Sequence, residues 1–230
     1  MKAVLSKDVF DFLKKLKKNN DRDWFNANKK EYLASNENVI SLADCVLAGM
    51  NKIDNIETPS GKKSLYRIYR DTRFSKDKTP YKTHFGAVYK RATAQLRGGY
   101  YMHIEAGASF VGGGFWEPNS DDIKRIRKAI ASDPDELRKI INSKAFKSTF
   151  GELKGDQVKT APQGYKKDDP AIDLLRYKQF LISKEFTDSE VLAPDFCDRV
   201  VATFKAMRPF FDYMSYILTT DENGEPLYKD

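Results

Sequence analysis

Apolar side chains in the first fifty residues recur at three- and four-residue spacing, which is typical of amphipathic helices. Ser6 caps the start of a first predicted helix, and Asn19 and Asn20 close it. A second helical region begins near Asp21 and continues to about Lys52, as two helices or as one long broken helix. The chain therefore opens with predicted helices rather than with strands.

The middle of the chain instead alternates apolar and polar residues in the two-residue period of β-strands. In the strand that contains His103, the side chains of Met102 and Ile104 point to the opposite face. A short Gly-containing turn joins this strand to the next, so the two are predicted to pair as an antiparallel hairpin. Four strands are predicted in this region, at residues 65–69, 84–90, 100–105 and 108–116. The first is preferred over a helix across residues 65–74, which the spacing of Arg67, Arg70 and Phe74 also fits.

The second half of the chain returns to helical spacing around a single strand. Helices are predicted to start near Asn119 and near Ser132, and one strand covers residues 178–186. From about Pro194 a long amphipathic helix follows, in which Pro209 should introduce a kink or a break. The apolar stripe of this helix consists of Phe196, Val200, Phe204, Met207, Phe211 and Met214.

The predicted elements follow the order helices, strands, helices, one strand and a final helix. Because short turns connect the consecutive central strands, this order favours an α+β fold over a doubly wound parallel sheet. We expect a mainly antiparallel central sheet flanked by helices, with a long C-terminal helical segment. Residues 1–230 are predicted to form a single domain, of which residues 219–230 are a polar tail.

Composition limits the classes to which the protein can belong. With 230 residues, of which 40% are hydrophobic, the chain can bury a globular core. It has no apolar run close to the ~20 residues of a membrane helix, so no membrane partner is expected. The N-terminus lacks a signal-peptide core, and Cys45 and Cys197 form no CxxC pair, so both thiols are predicted to be reduced. These features predict a cytoplasmic location.

Positive charge is concentrated in the middle of the chain. The whole chain has a net charge of +7, whereas residues 62–97 hold eleven basic and two acidic residues, a net charge of +9. A local excess of this size favours anionic partners. In the alternative interpretation, Asp71 and Asp77 tie the arginines into a structural network. The predicted ligand-binding residues are basic or aromatic and lie in or near this stretch: Arg67, Arg70, Arg73, Lys76, Lys78, Tyr81, Lys82 and Tyr101.

Both histidines lie in or near the same stretch. His103 and Glu105 share a strand face with Tyr101, and an imidazole beside a carboxylate can transfer protons near neutral pH. His103 and Glu105 are therefore the candidate catalytic residues. His84 could join them as a metal ligand only if two strands pair in the right register, and because the spacing does not require this, we predict no metal site. Three glycines at residues 112–114 either bind phosphate or bend the strand, and the flanking pattern favours a bend.

Several of these residues belong to motifs that resemble a known family. The motifs are Asn20-Asp21-Arg22-Asp23-Trp24-Phe25-x-x-Asn28-Lys29, then Tyr66-Arg67-Ile68-Tyr69-Arg70-Asp71-x-Arg73-Phe74-Ser75-Lys76-Asp77-Lys78-x-Pro80-Tyr81-Lys82, then Gly99-Tyr100-Tyr101 and Gly112-Gly113-Gly114-x-Trp116-x-Pro118. They resemble the domain-of-unknown-function 2461 family, a widespread and mainly bacterial family of soluble proteins, over nearly the whole chain. The resemblance implies one intact domain, and it carries over no catalytic residues.

Two classes of function fit these features. The first is a soluble domain that binds a phosphorylated or other anionic ligand in a basic cleft, with catalysis at the same cleft as a further hypothesis. The alternative is nucleic-acid binding through the basic, tyrosine-rich surface of residues 62–101. We expect Arg67, Arg70 and Arg73 to lie near His103 or Glu105 at the mouth of one cleft. The sequence specifies no cofactor, reaction or oligomeric state.

Overall fold

The computed structural model describes residues 3–221 and 223–227. Its helices and strands alternate along the chain much as the hydrophobic pattern predicts. In chain order they are α1 Lys7–Lys18, α2 Arg22–Ala27, α3 Lys29–Met50, α4 Gly61–Ser64, β1 Phe85–Lys90, β2 Gly99–Ile104, β3 Ser109–Phe115, α5 Ser120–Ser132, α6 Asp135–Asn142, α7 Lys144–Phe150, α8 Ile172–Leu175, β4 Phe180–Phe186, α9 Asp188–Val191 and α10 Phe196–Thr219.

The N-terminal helices begin where the sequence supplies side-chain caps. Ser6 accepts a hydrogen bond from the Asp8 amide at the start of α1, and Asp21 accepts one from the Trp24 amide at the start of α2. After Asn28 the chain continues as α3, so the second helical region is two helices. The predicted starts of these helices are confirmed.

The four strands form one antiparallel sheet in the order β1-β2-β3-β4. Short connections join the first three strands, and the helices α5 to α8 lie in the chain between β3 and β4. Strand β2 alternates strictly, with Tyr100, Met102 and Ile104 buried and the residues between them partly exposed. The prediction of an α+β fold is confirmed, as is the hairpin of β2 and β3.

Gly114 explains why the glycine run belongs to a strand. Its φ of +131° lies in the region that favours glycine, and a Cβ at this position would lie 2.1 Å from the Phe180 carbonyl oxygen. The missing side chain therefore lets β3 lie against β4. This agrees with the strand-bend interpretation of residues 112–114 rather than with phosphate binding.

The chain divides into two compact units, which we describe separately. The first unit comprises residues 3–89, 101–111 and 185–202, and the second comprises residues 90–100, 112–184 and 203–227. All four strands and helix α10 contribute residues to both units. The single-domain prediction for residues 1–230 stays a prediction.

In the first unit a disulfide joins Cys45 on α3 to Cys197 on α10, with 6.3 Å between the two Cα atoms. The expectation of two reduced thiols is therefore wrong. The two helices approach closely beside this bond, because a Cβ on Gly49 would lie 2.5 Å from a Val201 methyl carbon. A separation of 152 residues hides this proximity from any local sequence pattern.

The second unit is built on aromatic side chains of α10. Phe204, Phe210 and Phe211 are fully buried, and the Tyr100 ring lies 5.0 Å from the rings of both Phe204 and Phe211. Pro209 lies inside α10, which is a single helix, so the alternative of a split helix is wrong. The predicted apolar stripe is buried along its whole length, from Phe196 to Met214.

Two basic residues of the central stretch have structural roles in the second unit. Arg91 is buried, and its guanidinium donates to the Arg97 carbonyl, the Ser215 hydroxyl and the Asp212 carboxylate. Arg97 in turn donates to the partly buried Asp122. Buried charges of this kind are stable only when paired and hydrogen-bonded. These two arginines therefore contribute to the fold rather than to a binding surface.

The main error of the secondary-structure prediction is the strand at residues 65–69. Only its ends pair, as single bridges from Leu65 to Ala87 and from Tyr69 to Tyr81. Between them the ammonium group of Lys82 donates to the carbonyls of Arg67 and Tyr69. Because a side chain takes these two carbonyls, they are not available to a regular strand partner.

Smaller differences occur elsewhere in the chain. Helices α4 and α7 are not among the helices predicted from the sequence, and outside the predicted strands Gln157 forms a single bridge to Tyr177. In the predicted polar tail, Thr220 bridges to Pro226, while residues 222 and 228–230 lie outside the described residues. Across residues 3–221 and 223–227, no helix combines the length and the hydropathy that spanning a membrane requires.

Replacing Phe204 with alanine tests the aromatic core of the second unit. Phe204→Ala should lower the free energy of unfolding by about 3–5 kcal/mol, because the ring is fully enclosed. Denaturant unfolding followed by circular dichroism measures this loss. Tyr216→Ala on the same helix is the control, since that ring is 56% exposed and its loss should cost no more than about 0.5 kcal/mol. Equal losses in the two variants would contradict the assignment.

Alkylation tests the disulfide. Protein folded in an oxidising buffer and then denatured in the presence of iodoacetamide should gain no label at Cys45 or Cys197. Protein that is reduced before alkylation should gain two labels, as counted by mass spectrometry. Reduction should also lower the free energy of unfolding by about 2–4 kcal/mol. Two labels on the unreduced protein would show that the thiols are free.

Candidate functional site

Strand β2 carries a hydrogen-bonded row of side chains on its less buried face. The Tyr101 hydroxyl lies 2.9 Å from Nδ1 of His103, and Nε2 of His103 lies 3.1 Å from Oε2 of Glu105. Alternate residues of a strand share a face, so the local backbone brings these three groups together. The expectation that they lie on one face is confirmed.

Neighbouring elements of the first unit complete this row. The His84 ring, just before β1, lies 4.2 Å from the His103 ring, and the Phe110 ring of β3 stacks on His103 at 4.8 Å. Gly86 leaves room for Tyr101, since a Cβ there would lie 2.8 Å from the tyrosine hydroxyl. We call His84, His103, Glu105 and Tyr101 the imidazole cluster.

Burial and nearby charges set the protonation states in the imidazole cluster. Burial, helped by the neighbouring His103, lowers the pKa of His84 to about 4, so this imidazole is neutral at pH 7. Burial tends to raise the pKa of Glu105, but the hydrogen bond with His103 and the nearby Lys17 outweigh it, and the net pKa is lowered. Burial raises the pKa of Tyr101 to about 12, which keeps the phenol protonated.

A polar cleft of about 730 Å³ lies elsewhere in the first unit, between the start of α2 and the loop of residues 69–81. It is lined by three basic side chains, one carboxylate, two asparagines and a short run of loop residues. The lining residues are Asn20, Asp21, Arg22, Asn26, Tyr69, Arg70, Thr72, Lys78, Thr79, Pro80 and Tyr81. We call this the Arg22–Arg70 cleft.

The three basic residues of the Arg22–Arg70 cleft differ in how they are held. Arg70 donates to Asp77 and to the Thr79 hydroxyl, which fixes its guanidinium. Lys78 donates to the Thr72 carbonyl at 2.8 Å. Arg22 is exposed, and among the described residues its guanidinium has no hydrogen-bond or ion-pair partner. The donors of Arg22 are therefore open to a ligand.

Asn20 joins the two sides of the Arg22–Arg70 cleft. Its side-chain amide donates to the Tyr81 carbonyl at 2.9 Å and accepts from the Tyr81 amide at 3.0 Å. The Tyr81 ring stacks on Phe25 of α2, with 4.0 Å between the ring centroids, and Tyr69 packs beside it at 5.4 Å. This arrangement holds the basic loop against the helix that carries Arg22.

The predicted ligand-binding residues fall into different environments. Arg70, Lys78 and Tyr81 line the Arg22–Arg70 cleft, whereas Tyr101 belongs to the imidazole cluster. Arg73 pairs with Asp71 on the surface, and Lys82 turns inward to the backbone. The remaining two, Arg67 and Lys76, are exposed.

The cleft and the imidazole cluster share no lining residue. Of the three arginines expected at one cleft mouth with His103 or Glu105, only Arg70 lines the cleft, and neither His103 nor Glu105 does. Sequence reasoning missed Arg22 and Asn20 as site residues, because both lie about forty residues before the basic stretch. The signal that could have found them is the motif Asn20-Asp21-Arg22-Asp23-Trp24-Phe25.

A comparison with protein-family models matches a range that includes both the cleft and the cluster. A family model described as a conserved hypothetical protein (DUF2461) matches residues 8–213. The chain belongs to the DUF2461 family. The matched range of this DUF2461 protein includes the whole Arg22–Arg70 cleft and the whole imidazole cluster. No match was found among curated proteins or among solved structures.

The Asn20 clamp can be tested by substitution. Asn20→Ala leaves two partly buried backbone groups of Tyr81 without partners, which should lower the free energy of unfolding by about 1–3 kcal/mol. Asn20→Asp should lose less, because its carboxylate still accepts from the Tyr81 amide. Denaturant unfolding and amide hydrogen exchange at Tyr81 measure the two effects. An unchanged exchange rate at Tyr81 in the alanine variant would contradict the clamp.

Proposed function

We propose that this DUF2461 protein binds a phosphorylated or other anionic ligand in the Arg22–Arg70 cleft. The observation that carries the proposal is the convergence of Arg22, Arg70 and Lys78 on one cleft, whose lining includes a single carboxylate, Asp21. Guanidinium groups bind phosphate and carboxylate through paired donors, and the lysine adds a point charge. The excess of cations in the lining favours an anion.

One of the basic side chains of the Arg22–Arg70 cleft is already held in position by other residues of the protein. Asp77 fixes Arg70 in place, and hydrogen bonds from Thr79 and from Arg70 lower the pKa of Asp77 to about 2, so the pair stays ionised at neutral pH. Arg22 keeps its donors open beside it. Because Arg70 is already held in position beside Arg22, fewer side chains would have to become ordered when a ligand binds.

The size and polarity of the cleft favour a small ligand. A volume of about 730 Å³ falls within the range of about 300–1,000 Å³ that is common for small-molecule sites. The exposed Tyr69 ring offers an apolar surface beside the basic groups, and the Asn26 amide adds donors and an acceptor. A phosphate attached to a flat or apolar group would use both kinds of contact.

Catalysis and location stay predictions. His103 and Glu105 do not line the Arg22–Arg70 cleft, so the proposal assigns no reaction to a ligand bound there. The cytoplasmic location rested partly on reduced thiols, and the Cys45–Cys197 disulfide removes that support, because disulfides persist mainly in oxidising compartments.

Nucleic-acid binding is the second candidate, and exposed aromatic rings favour it. Tyr66 and Tyr69 are each 56% exposed and Phe74 is 95% exposed, all within the basic stretch. The Arg73 guanidinium lies 5.7 Å from the Phe74 ring centroid, so charge and a stacking surface coincide. Tyr81 is buried and therefore not available for stacking on bases.

Inorganic phosphate and pyrophosphate test the proposal by thermal unfolding. A site-bound anion should stabilise the protein by about 2.7 kcal/mol at a hundredfold excess over its dissociation constant. Arg22→Gln should abolish this gain and leave the protein folded, because Arg22 is exposed and has no protein partner among the described residues. Arg125→Gln, at an exposed arginine of α5, is the matched control and should keep the gain.

The outcomes separate the two candidates. Loss of the anion effect in Arg22→Gln alone supports the cleft, whereas equal gains in both variants would overturn it. Nucleic-acid binding predicts instead that a single-stranded oligonucleotide binds with an affinity that falls steeply with salt. In that case Phe74→Ala should weaken oligonucleotide binding more than Arg22→Gln does.

A further inference from the structure

We propose that His84, His103 and Glu105 bind a divalent first-row transition-metal ion such as Zn²⁺, at a site independent of the Arg22–Arg70 cleft. Each residue offers one ligand atom, and these atoms all lie within 4.8 Å of one another. Nε2 of His103 and Oε2 of Glu105 are 3.1 Å apart.

The spacing is close to that of a tetrahedral site. Zinc binds imidazole nitrogen and carboxylate oxygen at about 2.0–2.2 Å, which places two tetrahedral ligands roughly 3.3–3.6 Å apart. The widest separation in the cluster must therefore close by little more than 1 Å. Side-chain rotation of His84 or Glu105 can supply that movement without a change in the strand pairing.

The surroundings of His103 and Glu105 resemble the outer shell of a metal site. The Tyr101 hydroxyl holds Nδ1 of His103, and the stacked Phe110 ring fixes the plane of the imidazole, so Nε2 points to Glu105. The Thr83 hydroxyl donates to Oε1 of Glu105 at 3.3 Å, which leaves Oε2 for an ion. Hydrogen bonds of this kind orient metal ligands in other proteins.

Binding requires a rearrangement of protons but no strong base. To bind through Nε2, His103 must carry its single ring proton on Nδ1, where it donates to the Tyr101 oxygen. If Nε2–H donates to Glu105 in the absence of metal, binding moves that proton to Nδ1 through solvent. Glu105 binds as a carboxylate.

The ligand set selects the class of ion. Two imidazoles and one carboxylate suit zinc and its first-row neighbours, whereas magnesium and calcium prefer oxygen ligands. Three protein ligands also leave a tetrahedral ion with an open position for water or substrate, which is typical of catalytic rather than structural zinc. The inference therefore gives His103 and Glu105 a role other than direct proton transfer.

Among the described residues, Lys17 is the cation that forms an ion pair with one of the proposed ligands. Its ammonium lies 3.7 Å from Oε1 of Glu105, and its side chain is 70% exposed. A long exposed side chain can withdraw into solvent, but its charge competes with the metal. Lys17→Gln should therefore tighten metal binding, by at most about thirtyfold, the effect of a unit charge about 4 Å from a divalent ion in water.

The experiment uses full-length protein without a histidine tag, freed of metal with a chelator. Zinc is titrated in by calorimetry, and Co²⁺ is added separately to record the absorption of a tetrahedral site. Because the chain has two histidines, the ring resonances of both can be followed by NMR. One equivalent of Zn²⁺ should bind and shift both sets of ring resonances, and excess Mg²⁺ should shift neither.

Variants assign the ligands. His84→Gln, His103→Gln and Glu105→Gln should each weaken zinc binding by more than the ~10–100-fold that outer-shell changes cause, and Tyr101→Phe should fall within that range. Glu185→Gln, at an exposed carboxylate of β4, is the matched control and should bind as the wild type does. Circular dichroism checks the fold of each variant.

Several results would overturn the proposal. They are no zinc binding, binding that leaves either histidine unshifted in the wild-type protein, and binding retained in His84→Gln and His103→Gln. The wild-type NMR result decides the question even if a ligand variant does not fold. Failure of the phosphate test at Arg22 would leave this site untouched, because the two places share no residue.

Discussion

The register of β2 decides which side chains this protein buries and which it presents. Tyr100, Met102 and Ile104 point into the core, and Tyr101 and His103 therefore point the other way. A slip of one residue would reverse both sets, exposing Met102 and burying His103. The hydrophobic face thus fixes the position of the imidazole cluster, and the pairing with β1 determines that His84 lies beside it.

The basic stretch shows that charge density alone does not define a binding surface. Arg91 and Arg97 form hydrogen bonds and ion pairs inside the second unit. Lys82 donates to two backbone carbonyls of a loop, and Arg73 forms an ion pair with the nearby Asp71. What remains for a ligand is a smaller set, in which Arg70 is joined by Arg22 from α2. The structural interpretation therefore applies to Arg73, Arg91 and Arg97, and ligand binding stays a proposal for Arg22 and Arg70.

The first unit contains two separate groups of side chains, one that favours an anionic ligand and one that favours a cation. The Arg22–Arg70 cleft gathers cations around an open polar volume, whereas the imidazole cluster offers neutral nitrogen and an ionised carboxylate. The pKa directions follow from this difference, because burial of His84 favours its uncharged form and a nearby imidazole favours the charged form of Glu105. An anion and a cation would each find a suitable partner without competing for the same side chains.

The sequence by itself determined the starts of α1, α2 and α5, the strands β1 to β4 and the α+β class, because caps and hydrophobic period act within a few residues. It also placed Tyr101, His103 and Glu105 on one face. Contacts across long stretches of chain were decided only by the tertiary structure. The pairing of Cys45 with Cys197, the arrival of Arg22 beside Arg70 and the meeting of His84 with His103 all depend on packing between distant segments, for which no local pattern carries a signal.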